Sequence, residues 1–135
     1  MTQVLKNKKG VTLVELLAVI VIMGIIAAIA VPAIGGLIEN SRVKAAEAVL
    51  VSIEEAARLA VIADDLPTTS ATAGEVSTEL ATYVEWNGYV LTGIKVWNDN
   101  GVAKFTIATT ATLTKGSTES YGVTVSLDGT TLSLS

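Results

Sequence analysis

The chain has 135 residues, no Cys and no His, and a formal net charge of −4 from 9 basic and 13 acidic residues. This composition excludes disulfides, Cys/His zinc sites, Cys nucleophiles and His general bases. The acidic balance also argues against direct binding to nucleic acid, because contacts to phosphates need Lys and Arg.

The chain begins with a short basic segment, Met1–Gly10, which contains Lys6, Lys8 and Lys9. Basic residues beside an apolar stretch stay on the cytoplasmic side of a membrane. We therefore predict that this end of the chain is cytoplasmic.

An apolar run follows, and a single carboxylate, Glu15, opens it. Leu16–Val31 is an uninterrupted apolar run of 16 residues, and with the flanking Val11–Val14 and Ala33–Ile38 it reaches the length of about 20 residues that a membrane helix needs. A carboxylate in such a segment costs about 2.5–3.5 kcal/mol on insertion scales, so it is by default functional and has a partner. We predict a membrane helix over residues 11–38.

A second helical pattern covers residues 39–65. Its apolar residues recur at steps of three and four, which places them on one helix face: Val43, Ala46, Leu50, Ile53, Ala57 and Ala60. Glu54 and Arg58 have the i,i+4 spacing of a stabilising ion pair. Two acids oppose the helix dipole and Pro67 disfavours helix at the residue before it, so we predict that the helix ends within Asp64–Pro67.

Residues 66–135 change to a strand pattern. Residues 67–82 are rich in Thr, Ser and Ala and predict a loop. Beyond them the period is two, which predicts about four antiparallel strands with one apolar face. That face carries, in chain order, Val90, Ile94 and Val96, then Ala103, Phe105 and Ile107, then Tyr121, Val123, Val125 and Leu127. We predict turns at Asn98–Gly101 and Thr114–Ser117, and a two-residue hairpin turn at Asp128-Gly129.

Together these patterns predict an α+β fold. A long N-terminal helix, apolar in its first half and amphipathic in its second, packs on a small antiparallel sheet. Four aromatic residues cluster around the first strand, and we expect them to pack in the core or loops rather than to form a ligand platform: Tyr83, Trp86, Tyr89 and Trp97. We predict no catalytic residues, no metal site and no cofactor.

The segment Gly10–Glu15, which reads Gly-Val-Thr-Leu-Val-Glu, resembles the start of a type IV pilin precursor. The resemblance extends over Lys6–Ile38, and Gly24 and Pro32 lie where many pilins have a glycine and a proline. Two features depart from the family pattern. Val11 stands where the family commonly has Phe, and the C-terminal Cys pair of many members is missing.

The resemblance implies that a prepilin peptidase removes residues 1–10 by cutting between Gly10 and Val11, and that the new amine of Val11 is methylated. We then expect Glu15 of one subunit to pair with the Val11 amine of a neighbour, which offsets the desolvation of both ions and sets the axial register. Gly24 and Pro32 weaken the helix, and Pro32 is expected to kink it. We predict that the backbone between them unwinds in a fibre and stays helical in a free subunit.

The function implied is structural. The chain is expected to be the major subunit of a type IV pilus, a helical homo-oligomer, and not an enzyme. The implied partners are the prepilin peptidase, a platform membrane protein, assembly ATPases, minor pilins and the membrane. The subunit is expected in the cytoplasmic membrane, with a single span and its N-terminus inside, before assembly, and in an extracellular filament for adhesion, motility or DNA uptake after it.

Several other interpretations stay open. Ala28-Ile29-Ala30 is similar to the cleavage site of an ordinary secretory signal peptide, although Glu15 interrupts the apolar region. A membrane-anchored binding domain explains the basic residues and the apolar run but not Glu15. Within the pilin family, a competence pilin and a pseudopilin of a type II secretion system share this outline.

Overall fold

A computed structural model describes Gly10 and residues 12–135, apart from the side chain of Thr109. Two predictions, the cytoplasmic Lys6, Lys8 and Lys9 and the methylated Val11, fall outside the described residues. The elements are α1 (Leu13–Ile62), β1 (Gly74–Glu75), α2 (Val76–Glu79), β2 (Tyr89–Asp99), β3 (Val102–Lys115), β4 (Glu119–Val125) and β5 (Leu132–Leu134). The predicted α+β fold is confirmed.

The chain divides into two compact units, one ending at Ser41 and one spanning Arg42–Ser135, and α1 contributes residues to both. In the first unit the described helix exposes its apolar side chains. Its most apolar window of 18 residues has a mean hydropathy of 2.9 and is not buried, so by length and composition it is a helix that can cross a membrane. α1 continues through Gly24 and Pro32; their unwinding in a fibre stays a prediction.

In the second unit, α1 buries one face. The buried residues are Ala46, Val49, Leu50, Ile53, Ala56, Ala57 and Ala60. The predicted apolar face is confirmed from Ala46 onward and is widened by Val49 and Ala56, while Val43 is only half-buried. These side chains join one hydrophobic cluster with residues of the sheet, which include Leu91 and Leu113.

Helix α1 ends at Ile62, two residues before the predicted segment Asp64–Pro67. The amide of Asp65 donates to the carbonyl of Ala60 (3.0 Å), and the amide of Asp64 donates to that of Val61 (3.1 Å). Asp64 has a φ of 57°. These two bonds and one left-handed residue form a Schellman motif, in which aspartate occupies the position that is usually glycine.

The predicted ion pair between Glu54 and Arg58 is wrong. Arg58 pairs instead with Glu55, at 2.9 Å between Nη1 and Oε1, and both side chains are exposed. Oε1 of Glu54 accepts a hydrogen bond from the backbone amide of Leu132 (2.6 Å) and so ties α1 to the last strand. An exposed pair has little energetic value, whereas a half-buried carboxylate on a strand amide satisfies a donor that would otherwise lack a partner.

The sheet has five antiparallel strands in the order β1-β2-β3-β4-β5, one more than predicted. The additional strand, β1, and the short helix α2 lie in the segment 67–82 that was predicted to be a loop. β1 pairs Gly74 with Val96 and Glu75 with Lys95. A strand of two residues is too short to produce a period of two in the sequence.

The hairpin between β2 and β3 has the predicted turn. Asn100 and Gly101 have φ values of 52° and 86°. Asp99 pairs with Val102 on either side of them. Positive φ at both central residues is the signature of a type I′ turn, which matches the twist of the flanking strands.

The first strand predicted from the sequence is β2 in the structure, and its predicted inward face is wrong at its start. Val90 is 50% exposed, whereas Leu91 is fully buried. The register shifts from Thr92 opposite Thr112 to Ile94 opposite Ile107, and the intervening Gly93 has a φ of 78°. A β-bulge at Gly93 therefore reverses the alternation. Before Gly93 the residues that face the core have odd numbers, and after it they have even numbers.

Ile107 and Leu127 were also predicted to be inward residues, but both are exposed. Ile107 is 46% exposed, because β4 pairs with β3 only from Thr112 to Lys115 and therefore does not run beside Ile107. Leu127 is fully exposed, because β4 ends at Val125 and Leu127 lies in the loop that follows.

The predicted hairpin at Asp128-Gly129 joins β4 to β5, but its loop is longer than two residues. The amide of Ser126 donates to the carbonyl of Thr131 (3.0 Å), and the amide of Gly129 donates to that of Ser126 (2.9 Å). Gly129 has a φ of 73°, and its carbonyl accepts a bond from the amide of Phe105 (2.7 Å). The loop is therefore fixed against β3.

The expected packing of the aromatic residues is confirmed for three of the four. Tyr89 is buried in the core, and Tyr83 and Trp86 are partly buried and pack against the core cluster. The hydroxyl of Tyr83 also donates to Oδ2 of Asp65. Trp97 is half-buried on β2.

Asp128 organises its loop and gives the domain a defined response to acid. Its Oδ1 accepts from the hydroxyl of Ser126 and the amide of Thr130, and its Oδ2 accepts from the hydroxyl of Thr130. These bonds, led by that of Ser126, lower the pKa of Asp128 from 3.8 to about 2.

A group with a lowered pKa stabilises the fold above its unfolded pKa and loses that effect as the pH falls through its folded pKa. We expect the parent chain to lose more thermal stability between pH 3.8 and about pH 2 than Asp128→Asn, measured by circular dichroism in detergent micelles. Glu47→Gln, at an exposed acid on α1, is the control. An equal loss in the parent and in Asp128→Asn would contradict this role.

Candidate functional site

The predicted site residues on α1 lie at different heights along one helix. Glu15 is in the first turn, and Gly24 and Pro32 follow it by about 13 Å and about 25 Å at 1.5 Å per residue. The structure therefore does not bring these three residues together within one chain. It brings Glu15 together with Thr12, for which no role was predicted from the sequence.

Thr12 and Glu15 form a reciprocal cap at the start of α1. The amide and the hydroxyl of Thr12 donate to Oε2 of Glu15, at 3.0 Å and 3.1 Å. The amide of Glu15 donates in return to Oγ1 of Thr12, at 3.2 Å. The carbonyl of Thr12 accepts the first helical bond, from the amide of Leu16 (3.1 Å). This is a capping box, which satisfies two amides that the helix itself leaves unpaired.

The sequence contained the signal for this cap. Thr12 and Glu15 are the ends of a Thr-x-x-Glu pattern directly before an apolar run, which is the signature of a capping box. From its sequence context, Glu15 was predicted only to pair, as a charge, with the Val11 amine of another subunit. The structure adds a local role, which is to start the helix.

The cap also determines which part of the carboxylate is available. Both bonds from Thr12 go to Oε2, and Oε1 of Glu15 accepts no hydrogen bond from the residues that the structure describes. The carboxylate is exposed and lies in the first turn, where the helix dipole favours a negative charge. Oε1 is thus oriented by the cap and open to a donor from outside the chain.

Gly10 is accessible at the predicted cleavage position. It is exposed, and a Cβ atom placed on it would have no atom of the described residues within 4 Å. A peptidase can therefore approach this backbone closely. Gly24 is equally open within the chain, so no packing contact among the described residues requires glycine there, although glycine costs a helix interior about 1 kcal/mol relative to alanine.

In the filament that the resemblance implies, removing the cap should weaken assembly without abolishing it. Thr12→Val deletes the hydroxyl and should cost the start of α1 about 0.5–2 kcal/mol, the usual effect of losing an N-cap. We expect a several-fold lower yield of sheared surface filaments, measured against total subunit by immunoblot. Thr12→Ser keeps the hydroxyl and should give the parent yield. A normal yield with Thr12→Val would exclude a contribution of the cap.

Comparison with protein-family models matches residues 5–31 to the prokaryotic N-terminal methylation motif. The matched span contains Gly10, Val11, Thr12, Glu15 and Gly24 and ends just before Pro32. No curated protein and no solved structure gives a significant match. The motif is the class III signal peptide of type IV pilins, so the resemblance drawn from the sequence is confirmed over this span.

Proposed function

We propose that this chain, which carries the N-terminal methylation motif of the type IV pilin-like proteins, is the major structural subunit of a type IV pilus. The observation that carries the proposal is the coincidence of that motif with an exposed apolar helix whose first turn holds one oriented carboxylate, Glu15. The second unit is small, with short connections from β2 through to β5, which suits dense packing of many copies.

Processing is the first step of this proposal. A prepilin peptidase cuts the bond after the exposed Gly10 and releases the basic segment, and the new amine of Val11 is methylated. The subunit stays in the cytoplasmic membrane with its N-terminus on the cytoplasmic side, held by the apolar part of α1. The chain is a substrate of the peptidase and has no catalytic role of its own.

Pairing between copies is the second step. Oε2 of Glu15 is held by Thr12, and Oε1 is open to the Val11 amine of a neighbouring subunit. Either ion alone is costly in an apolar environment, and the pair offsets that cost only when the two charges meet at the same height. Apolar side chains give no such directional constraint, so this ion pair sets the axial register.

Unwinding is the third step. The isolated chain is helical across Gly24 and Pro32. Pro32 has no amide hydrogen to donate, and Gly24 has a low helix propensity, so this stretch is the part of α1 that extends most readily when subunits pack. A platform membrane protein and assembly ATPases extract subunits from the membrane, minor pilins complete the filament, and the product is extracellular.

The deciding experiment combines electron microscopy of sheared surface fibres with mass spectrometry of the subunit. We expect filaments composed of a chain that begins at methylated Val11. Intact Met1 in a membrane fraction without fibres would instead support a membrane-anchored domain. A new N-terminus after Ala30 would support an ordinary signal peptide.

A further inference from the structure

Two Asn-Gly pairs occupy equivalent turns in the second unit. Asn87 and Gly88 have φ values of 47° and 80°, and Asn100 and Gly101 have values of 52° and 86°. The first turn is closed by the amide of Tyr89, which donates to the carbonyl of Trp86 (2.7 Å). The second turn lies between paired residues of β2 and β3. Both therefore have the positive φ values of type I′ turns.

An Asn-Gly pair can lose ammonia without an enzyme. The backbone nitrogen of the glycine gives up its proton and attacks the side-chain carbonyl carbon of the asparagine. The new carbon–nitrogen bond closes a five-membered succinimide, and the side-chain nitrogen leaves as ammonia with the transferred proton. Water then opens either carbonyl of the ring and gives aspartate or isoaspartate. The reaction needs a free glycine amide and a mobile asparagine side chain.

At Asn100 both reacting groups are held. The amide of Gly101 donates to Oδ1 of Asn98 at 2.8 Å. The side-chain amide of Asn100 donates to Oδ1 of Asp99 at 3.0 Å. Both bonds must break before the glycine nitrogen can reach the carbonyl carbon, so they oppose the reaction.

At Asn87 neither group is held. The residues that precede this pair are Glu85 and Trp86, at the positions that Asn98 and Asp99 occupy in the other turn. Within the described part of the chain, the amide of Gly88 and the side chain of Asn87 make no hydrogen bond, and both residues are exposed. A Cβ atom placed on Gly88 would have no atom within 4 Å, so the turn leaves room around the reacting bond.

We infer that Asn87 is a site of spontaneous deamidation and that Asn98 protects Asn100 from the same reaction. The product at Asn87 carries one more negative charge, and isoaspartate also lengthens the backbone directly before β2. Asn87 borders a surface groove whose lining includes Glu85 and Lys115. The new charge therefore appears in the same groove as the acid Glu85 and the cation Lys115, whose Nζ lies 4.6 Å from the centroid of the Tyr89 ring.

The test compares the two sites in the same folded chain. The full-length protein in detergent micelles is incubated in a mildly alkaline buffer, and samples are digested with trypsin and analysed by mass spectrometry. Cleavage after Arg58, Lys95 and Lys104 places Asn87 in peptide 59–95 and Asn100 in peptide 96–104. We expect conversion of the carboxamide to a carboxylate to be about tenfold faster at Asn87, the effect of two ordinary hydrogen bonds.

Three matched variants identify the cause. Asn98→Ala frees the amide of Gly101 and should accelerate conversion at Asn100 several-fold, whereas Asn98→Asp keeps an acceptor oxygen and should not. Asn87→Gln should remove the reaction from peptide 59–95. Incubation in denaturant should make the two parent sites react at similar rates, because the sequence Asn-Gly is the same.

Equal rates at Asn87 and Asn100 in the folded parent would overturn the inference. It would also be overturned if Asn87 stayed unchanged in the folded chain under conditions that convert it in denaturant. None of these outcomes depends on whether the chain forms a pilus.

Discussion

Glu15→Val is expected to abolish filaments and to leave a processed, methylated subunit in the membrane. In the proposed assembly each Val11 amine meets one Glu15, so the variant leaves every amine in an apolar environment without a counter-ion. Breaking one partner of a buried ion pair costs about 3–5 kcal/mol, which corresponds to roughly a hundredfold or more in the assembly equilibrium. Insertion of the subunit should not suffer, because valine is favourable in a membrane helix.

The capping box makes this experiment more specific. Glu15 contributes both an acceptor for Thr12 and a negative charge. Glu15→Gln keeps an acceptor oxygen of the same reach, and glutamine also forms capping boxes, but it has no charge. If the charge matters, Glu15→Gln should fail as completely as Glu15→Val. If the cap is the main role, Glu15→Gln should assemble and Thr12→Val should fail.

The measurement is the number and length of filaments by electron microscopy, with the N-terminus and abundance of the subunit followed by mass spectrometry and immunoblot. Thr12→Ser is the control, because it changes a neighbouring side chain and keeps both functions. Normal filaments with Glu15→Val would refute the pairing of Glu15 with the Val11 amine. Loss of cleavage in the variants would instead assign Glu15 to recognition by the peptidase.

The sequence predicted best the features that repeat over many residues. The apolar run before Ile38 and the buried face from Ala46 to Ala60 each extend over several helical turns, so single exceptions do not obscure the pattern. The turn at Asn100-Gly101 was also predictable, because positive φ at two successive positions strongly favours this residue pair.

The features that the sequence did not reveal depend on single residues or on distant contacts. Glu54 was assigned to Arg58, four residues away, but it binds the amide of Leu132, which is 78 residues away. No local pattern encodes such a contact. Thr12 is a different case, because its Thr-x-x-Glu pattern was present in the sequence. The carboxylate of Glu15 has two candidate roles, as a cap that binds Thr12 and as a charge that pairs with another subunit, and residue spacing alone does not decide between them.

Gly93 shows how one residue changes the interpretation of a whole strand. The period of two predicts that Val90 shares a face with Ile94 and Val96, because all three positions are even. Gly93 adopts a positive φ, and the register of β2 against β3 shifts there. Beyond the bulge the parity is as predicted, and before it the parity is reversed, so that Leu91 is in the core.

Leu91→Ala is therefore expected to destabilise the second unit strongly, and Val90→Ala only weakly. Leu91 is fully buried in the main cluster, and truncating a buried leucine to alanine usually costs about 2–5 kcal/mol, through lost transfer energy and the cavity that remains. Val90 is 50% exposed, and we expect a cost below about 1 kcal/mol, chiefly from reduced strand propensity. The two variants are neighbours on one strand and remove similar side chains, so their difference isolates burial.

Urea unfolding of the full chain in micelles, followed by tryptophan fluorescence, measures both free energies of unfolding. Trp86 packs against the core, so its emission should report the loss of that packing. If the strand alternated without a bulge, Val90 would be the inward residue, and Val90→Ala would be the damaging change. Since the bulge alone reverses the order of the two effects, a larger loss with Val90→Ala would refute the register of β2 before Gly93.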